Sequence, residues 1–459
     1  MHTPAPEIFK AYDIRGIVDK SLTVDTVRAI GQALGTEALA RGQKAIVIGR
    51  DGRLSGPVFA EALAAGIIAT GIDVIDIGCV ATPITYFAAY HLGTHSCVSI
   101  TGSHNPPDYN GLKMVLGGQT LYGDMIQSLR RNIVEGKLAV AVAPGTVTRT
   151  DVRPAYIKRI LSDVKLARPM KIVLDSGNGV AGNTAPELYK RLGCELTELF
   201  SDVDGNFPNH HPDPSKPENL EDVIAALKAG DAEIGLAFDG DGDRLGVVTK
   251  DGEIIYPDRQ LMLFAADVLS RVPGGQIIYD VKCTRNLAPW IRKHGGEPVM
   301  WNTGHALVKA KLKETGAPLA GEMSGHMFFK ERWYGFDDGL YTGVRLLEIL
   351  SKSPDANAVL KALPNATSTP ELNIKMKEGE PVQLVERLSQ LSFSGEVERI
   401  TIDGLRVEFA DGFGLARSSN TTPVVVLRFE ADDAEALERI QAEFRSLIST
   451  AWPGIELPF

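Results

Sequence analysis

Three aspartates at alternate positions, Asp239, Asp241 and Asp243, stand in the run DGDGDR with glycines between them and Arg244 after them. On an extended strand these carboxylates would form a row too long to share one ion. Gly240 and Gly242 let the backbone curl and gather them. An all-oxygen, strongly anionic set suits a hard divalent cation such as magnesium. A calcium EF-hand fails on its own spacing, because Arg244 takes the place of the required loop glycine and Lys250 that of the closing glutamate. The competing reading is a solvated acidic turn, but gathered like charges repel one another unless a cation joins them.

Ser103 lies in TGSHNP, Thr101 to Pro106, after the strand-like run Cys97 to Ile100. A hydroxyl at the tip of a proline-stiffened turn is well placed as a nucleophile. It needs activation, or a phosphoryl group that can leave with help from a metal. His104 is adjacent in sequence, which does not by itself make it the base, and no G-x-S-x-G elbow surrounds Ser103. A polar strand-to-helix turn is the plain alternative. In RSSNTTP, Arg417 to Pro423, a guanidinium, hydroxyls and an amide precede the strand-like run Val424 to Phe429. Such a donor cluster fits a dianionic phosphate, and an ordinary Ser/Thr turn has the same composition. In GEMSGH, Gly321 to His326, a carboxylate, a hydroxyl and an imidazole suit vicinal sugar hydroxyls, with a surface turn as the alternative.

Two further patterns compete for function. Gly177 to Gly182 matches G-x-G-x-x-G after a strand, with Glu195 and Glu198 at about the distance of a ribose contact, which would make an NAD site. His210, His211 and Asp213 resemble a metal set, although the neighbouring prolines favour a stiff loop.

The elements that must position these groups read as α/β. Val/Ile-rich runs alternate with stretches of helical period, and KAIVIGRDGR from Lys44, MKIVLDSGNG from Met170 and GQIIYDVKCT from Gly275 look alike, each a buried strand ending in a polar turn. This predicts one α/β unit used three times. After about Asn365 the pattern changes to strands ELNIKM, VERITID, LRVEFA and VVVLRFE, a helix PVQLVERLSQL and a final helix Ala431 to Ile448, a small α+β domain. Boundaries near Ala143 to Arg153, at Asp251-Gly252 and near Pro364 predict four domains, 1–148, 149–252, 253–364 and 365–459. A chain of 459 residues, 44% apolar and 23% charged, has ample core for this. Its net charge of −10 repels polyanions, so no nucleic-acid partner is expected, while local arginines remain able to bind a small phosphorylated ligand. MHTPAPEIFKAYD has no secretory signal pattern and the apolar stretch Ala62 to Ile72 is too short to span a bilayer, so a cytoplasmic protein without a membrane segment is expected. Cys79, Cys97, Cys194 and Cys283 are scattered and are read as reduced.

Together with KAYDIRG at Lys10 to Gly16, the four motifs resemble the α-D-phosphohexomutase superfamily, most closely its bacterial phosphomannomutase/phosphoglucomutase branch, nearly end to end and in the family's order. The resemblance implies three related α/β mixed-sheet domains plus a smaller C-terminal α+β domain around a central cleft. It implies that Ser103 is a phosphoserine, flanked by His104, and that Asp239, Asp241 and Asp243 hold Mg2+ together with an oxygen of that group. Arg244, Lys113, Arg15 and Tyr12 should surround the reacting phosphoryl group, with Lys113 or His326 as the base. Lys282, Gly304 and His305 match substrate contacts, and Glu322 and Ser324 should grip the sugar hydroxyls. Arg417, Ser419, Asn420 and Thr421 should hold the phosphate that is not transferred. Gly102 stands where many members carry alanine. The implied activity interconverts hexose 1-phosphates and 6-phosphates of mannose and glucose, with glucose 1,6-bisphosphate as activator and intermediate, in a monomer acting on small phosphosugars. The rival readings are a phosphoglucosamine mutase, an NAD-dependent oxidoreductase built on Gly177 to Gly182, and a non-catalytic sugar-phosphate sensor.

Overall fold

The computed structural model describes residues 3–420 and 422–459. The chain falls into two compact units. One takes the chain up to Pro257 together with His305–Glu314 and Ser324–Ala362; the other takes Asp258–Gly304, Thr315–Met323 and Leu363–Phe459.

The first unit carries two mixed sheets. In one, the strands run in the order Ile14–Ile17, Tyr109–Leu116, Cys97–Ile100, Ala45–Arg50, Asp73–Cys79 and Val147–Arg149. Cys97–Ile100, Ala45–Arg50 and Asp73–Cys79 are parallel, and Tyr109–Leu116 returns antiparallel beside Cys97–Ile100. The loop that carries Ser103 therefore joins two adjacent strands, not a strand and a helix as its composition suggested. Helices Val24–Ala40 and Gly56–Ile68 cover this sheet with Val27, Ile30, Leu34, Leu63 and Ile67 in the core. Thr23 caps the first of these helices, its hydroxyl accepting from Thr26 N. The second sheet runs Ile254–Ile255, Leu245–Thr249, Ile234–Phe238, Met170–Asp175 and Cys194–Leu199. Ile234–Phe238 is buried at every residue, which explains its unbroken apolar run. It lies parallel to Met170–Asp175 and antiparallel to Leu245–Thr249, so Asp239 to Arg244 form a hairpin loop at the sheet's end. Val147–Arg149 still pairs with Asp73–Cys79, and Ile254–Ile255 with Leu245–Thr249, so these sheets continue past residues 148 and 252.

In the second unit, Glu297–Trp301, Gln276–Asp280 and Leu319–Gly321 pair in parallel. The C-terminal sheet is antiparallel, in the order Thr367–Ser368, Val424–Ala431, Gly412–Ser418, Leu405–Phe409 and Glu398–Ile400, with Leu372–Lys375 also on Val424–Ala431. Helices Glu380–Ser389 and Ala434–Ala451 bury Leu384, Leu388, Ile440, Phe444 and Ile448 against it. The last helix starts later than its period suggests, because Ala431 is still strand and Asp433 caps the helix by accepting from Ala436 N at 2.8 Å. The strand Gly412–Ser418 gave no alternating pattern in the sequence. Its Gly414 is required by packing, since a Cβ there would stand 2.3 Å from the Phe444 ring. All four cysteines are free. Among the described residues no helix is long and apolar enough to cross a membrane.

Candidate active site

Ser103 sits at φ 50°, in the left-handed region that side chains rarely adopt, and is 1% exposed. Its hydroxyl donates to Asp239 Oδ2 at 3.1 Å and lies 3.2 Å from His104 Nδ1. Gly240 makes this approach possible: a Cβ there would stand 2.4 Å from the Ser103 carbonyl oxygen.

Asp239, Asp241 and Asp243 are fully buried, and their ligand oxygens lie within 4.8 Å of one another. Asp239 Oδ1 accepts from the N–H groups of Asp243 and Arg244, both at 3.1 Å, which curls the loop. Asp241 Oδ2 accepts from Thr82 Oγ1 at 2.6 Å and Lys113 Nζ at 2.8 Å, and Asp243 Oδ2 from Lys113 at 2.5 Å. Asp241 Oδ1 and Asp243 Oδ1 are buried and accept no hydrogen bond among the described residues, Asp243 Oδ1 facing His326 Nε2 at 3.3 Å. Buried carboxylate oxygens without donors are what a divalent cation satisfies, so these residues fit magnesium.

The same groups shift one another's protonation. Burial, with the charges of Asp243 and Asp241 beside it, pushes the Asp239 carboxyl well above the usual range. Asp243 goes the other way: against its burial, the Lys113 ammonium above all, and Arg244, hold it well below that range. Against its own burial, Asp241 and Asp243 raise Lys113 and keep it an ammonium. Burial and the cations Arg244, Arg15 and Lys113 push His104 well down, so a neutral imidazole faces Ser103.

The remaining residues of the first unit complete the cluster. Arg244 Nε donates to His326 Nε2 at 3.2 Å and stands 3.8 Å from Asp239 Oδ2. Ser324 Oγ lies 2.9 Å from His326 Nδ1, so this hydroxyl, expected on the sugar, rests against the imidazole. Arg15 reaches the Ser103 loop through Asn105 Oδ1 at 2.5 Å and is paired with Asp13 at 2.6 Å. Tyr12 packs edge-on to His305 with ring centroids 5.2 Å apart, and His305 is buried. In the second unit Glu322 Oε1 accepts from Gly304 N at 2.5 Å. Arg417, near the end of Gly412–Ser418, donates through Nε to Asp403 Oδ2 at 3.0 Å, an oxygen that also accepts from Thr303 N at 2.9 Å. Lys282 pairs with the half-exposed Glu371 at 3.0 Å. Ser419 Oγ accepts from Thr422 N at 3.3 Å, Asn420 follows it, and Thr421 lies outside the described residues.

Four family profiles match this chain in order: phosphoglucomutase/phosphomannomutase α/β/α domains I, II and III over residues 6–139, 154–252 and 256–366, and the C-terminal domain over 371–447. The chain belongs to the phosphoglucomutase/phosphomannomutase family.

It is 60% identical to a phosphoglucomutase of Neisseria meningitidis serogroup A over 98% of this chain and 99% of the relative. It is 55% identical to a phosphomannomutase/phosphoglucomutase of Pseudomonas aeruginosa over 98% of this chain and 97% of the relative. A crystal structure of a phosphoglucomutase/phosphomannomutase family protein from Burkholderia thailandensis superposes with a TM-score of 0.94 at 63% identity, covering 99% of this chain and 100% of that one.

The competing glycine motif has another use in this phosphoglucomutase/phosphomannomutase chain. Its amides are consumed internally, Gly179 N on Ser176 O, Gly182 N on Gly179 O and Val180 N on Gly240 O, which leaves no cradle for a pyrophosphate. A Cβ at Gly182 would stand 2.0 Å from Ser201 O, so the glycines serve close backbone packing. The oxidoreductase reading falls with them. The histidine pair is likewise structural: His210 binds Asp175 at 2.9 Å and His211 binds the His104 carbonyl. Sequence reasoning missed Thr82, which holds Asp241, and the pair Asp51 and Arg53 beneath the Ser103 loop. Thr82 carries no signal, whereas Asp51-Gly52-Arg53 ends one of the three matching strand motifs.

Proposed function

We propose that this member of the family interconverts hexose 1-phosphates and hexose 6-phosphates of glucose and mannose through a phosphoserine at Ser103. The observation that carries the reading is the Ser103 hydroxyl 3.1 Å from Asp239, in a buried cluster of three carboxylates with Lys113 and Arg244 beside them. Bound magnesium, held by Asp239, Asp241, Asp243 and an oxygen of the phosphoserine, would neutralise charge on the group in transfer.

Both ends of the sugar must visit one transfer centre. Ser103 gives its phosphoryl group to the free hydroxyl of the monophosphate, producing a 1,6-bisphosphate. The intermediate turns end for end, and its other phosphate returns a phosphoryl group to Ser103, leaving the isomer as product. Lys113 is held as an ammonium and Arg244 is a guanidinium, so both stabilise the transferring charge. The hydroxyl that attacks must lose a proton; with Lys113 charged, His326 is the better candidate base. Arg417, Ser419, Asn420 and Thr421 would hold the distal phosphate, Lys282, Gly304 and His305 would contact the substrate, and Glu322 and Ser324 would meet the sugar hydroxyls. Names of relatives support glucose, and the Pseudomonas relative's name adds mannose. A monomer in the cytoplasm belongs to the same proposal.

The test is a coupled assay on glucose, mannose and glucosamine 1-phosphates with magnesium and a trace of glucose 1,6-bisphosphate, for the parent and Ser103→Ala. Glucose and mannose 1-phosphates should both turn over, and Ser103→Ala should lose at least about a thousandfold in kcat. Full activity in the variant would reject the phosphoserine, and preference for glucosamine 1-phosphate would move the chain to the phosphoglucosamine mutases.

A further inference from the structure

Arg53 follows the strand Ala45–Arg50 and is 1% exposed. A guanidinium has five N–H donors, and here each has a partner. Nε donates to Asp51 Oδ2 at 3.2 Å. Nη1 donates to the carbonyls of Pro106 at 2.5 Å and Tyr109 at 2.8 Å, and Nη2 to those of Ser103 at 2.9 Å and Asn105 at 2.6 Å. One buried cation thus gathers three carbonyls of the Ser103 loop and that of Tyr109, where the next strand begins.

Asp51 closes the arrangement from the other side. Its Oδ2 accepts from Thr101 Oγ1 at 2.7 Å and from Gly102 N at 3.2 Å, and its Oδ1 from Arg53 N at 3.0 Å. Thr101 Oγ1 in turn accepts the N–H of Ser103 at 2.7 Å. Both backbone polar groups of Ser103 therefore end on one ion pair, the carbonyl on Arg53 and the N–H on Asp51 through Thr101. Gly102 leaves room for the guanidinium, since a Cβ there would stand 2.3 Å from Arg53 Cζ.

We propose that Asp51 and Arg53 are a positioning pair that fixes Ser103 for phosphoryl transfer without touching the reacting atoms, an inference that rests on Ser103 being the phosphoryl carrier. Ser103 holds a left-handed φ of 50°, which the loop keeps only if its surroundings enforce it. Released from the clamp, the residue relaxes and its Oγ leaves the aspartates. Misplacement of a reacting atom by about 1 Å is worth about a hundredfold in rate. Lysine does not substitute, because a point ammonium has three donors where a planar fork has five. Substrate contacts are not involved, so KM stays near its parent value.

The experiment compares the parent with Arg53→Lys and Thr101→Val. Each variant is checked for folding by circular dichroism, and then read for kcat, KM and phosphoryl uptake from glucose 1,6-bisphosphate by intact mass. Arg53→Lys should lose about a hundredfold in kcat and Thr101→Val about tenfold, both with KM within about threefold of the parent and with slowed phosphoryl uptake. Arg53→Ala should regain part of its kcat when guanidinium is added at millimolar levels. Folded variants with parental kcat would overturn the clamp, as would a loss expressed only as lower melting temperature. If Arg53→Lys does not fold, Thr101→Val decides by the same readout. A parent enzyme that never takes up a phosphoryl group would instead overturn the phosphoserine reading.

Discussion

Asp239 receives the Ser103 hydroxyl while its own carboxyl is pushed up by burial and by the neighbouring charges of Asp243 and Asp241. A cation that enters this loop reverses the local balance and favours the ionised carboxyl over the protonated one. Magnesium binding should therefore release a proton and tighten as pH rises. Calorimetric titration of the metal-free protein in two buffers of different ionisation enthalpy measures that proton. Identical heats in both buffers would show Asp239 already ionised. Asp239, Asp241 and Asp243 were readable in the sequence because alternating Asp and Gly has few other uses. The role of Arg53 was not, because its four partners in and beside the Ser103 loop are backbone carbonyls, and a carbonyl carries no residue code. Ser324 shows the same limit, since its hydroxyl rests on His326 for reasons only the turn geometry displays.

Both loops of the candidate site hang between antiparallel neighbours, 101–108 between Cys97–Ile100 and Tyr109–Leu116, and 239–244 between Ile234–Phe238 and Leu245–Thr249. Adjacent strands on each side hold a loop's two ends close together, which suits a site that must be rigid. The flanking strands were legible as apolar runs, whereas Gly412–Ser418, which positions Arg417, was hidden by glycines that make way for Glu430 O and Phe444. The helix Gly339–Leu350 offers a separate test of buried charge. Its cap Asp338 accepts from Tyr341 N at 2.9 Å and from Tyr156 OH at 2.9 Å, and burial raises its carboxyl to about 7. A carboxyl that binds its proton more tightly when folded stabilises the fold fully below its unfolded pKa of 3.8, and that stabilisation is lost as pH rises through about 7. Asp338→Asn keeps the cap and removes the titration, so its melting temperature should fall less than the parent's between about pH 4 and 7. Parallel profiles for the two proteins would place the titration elsewhere.

The four family domains and the two compact units divide the chain differently, because residues 256–366 contribute to both units. The GEMSGH motif itself is shared: Glu322 belongs to the second unit, Ser324 and His326 to the first. Period and punctuation in the sequence showed repeated α/β segments, but packing density, which decides the units, depends on contacts between distant segments. The groups assigned to phosphoryl transfer all lie in the first unit, while Lys282, Gly304, Glu322, Arg417, Ser419 and Asn420 lie in the second. The proposed transfer therefore requires that the first unit's serine carry the phosphoryl group. Intact mass spectrometry after incubation with glucose 1,6-bisphosphate and magnesium measures this directly. One added phosphoryl group, absent from Ser103→Ala and discharged by excess glucose 6-phosphate, is the predicted result; an unchanged mass, or an adduct that persists in Ser103→Ala, would contradict it.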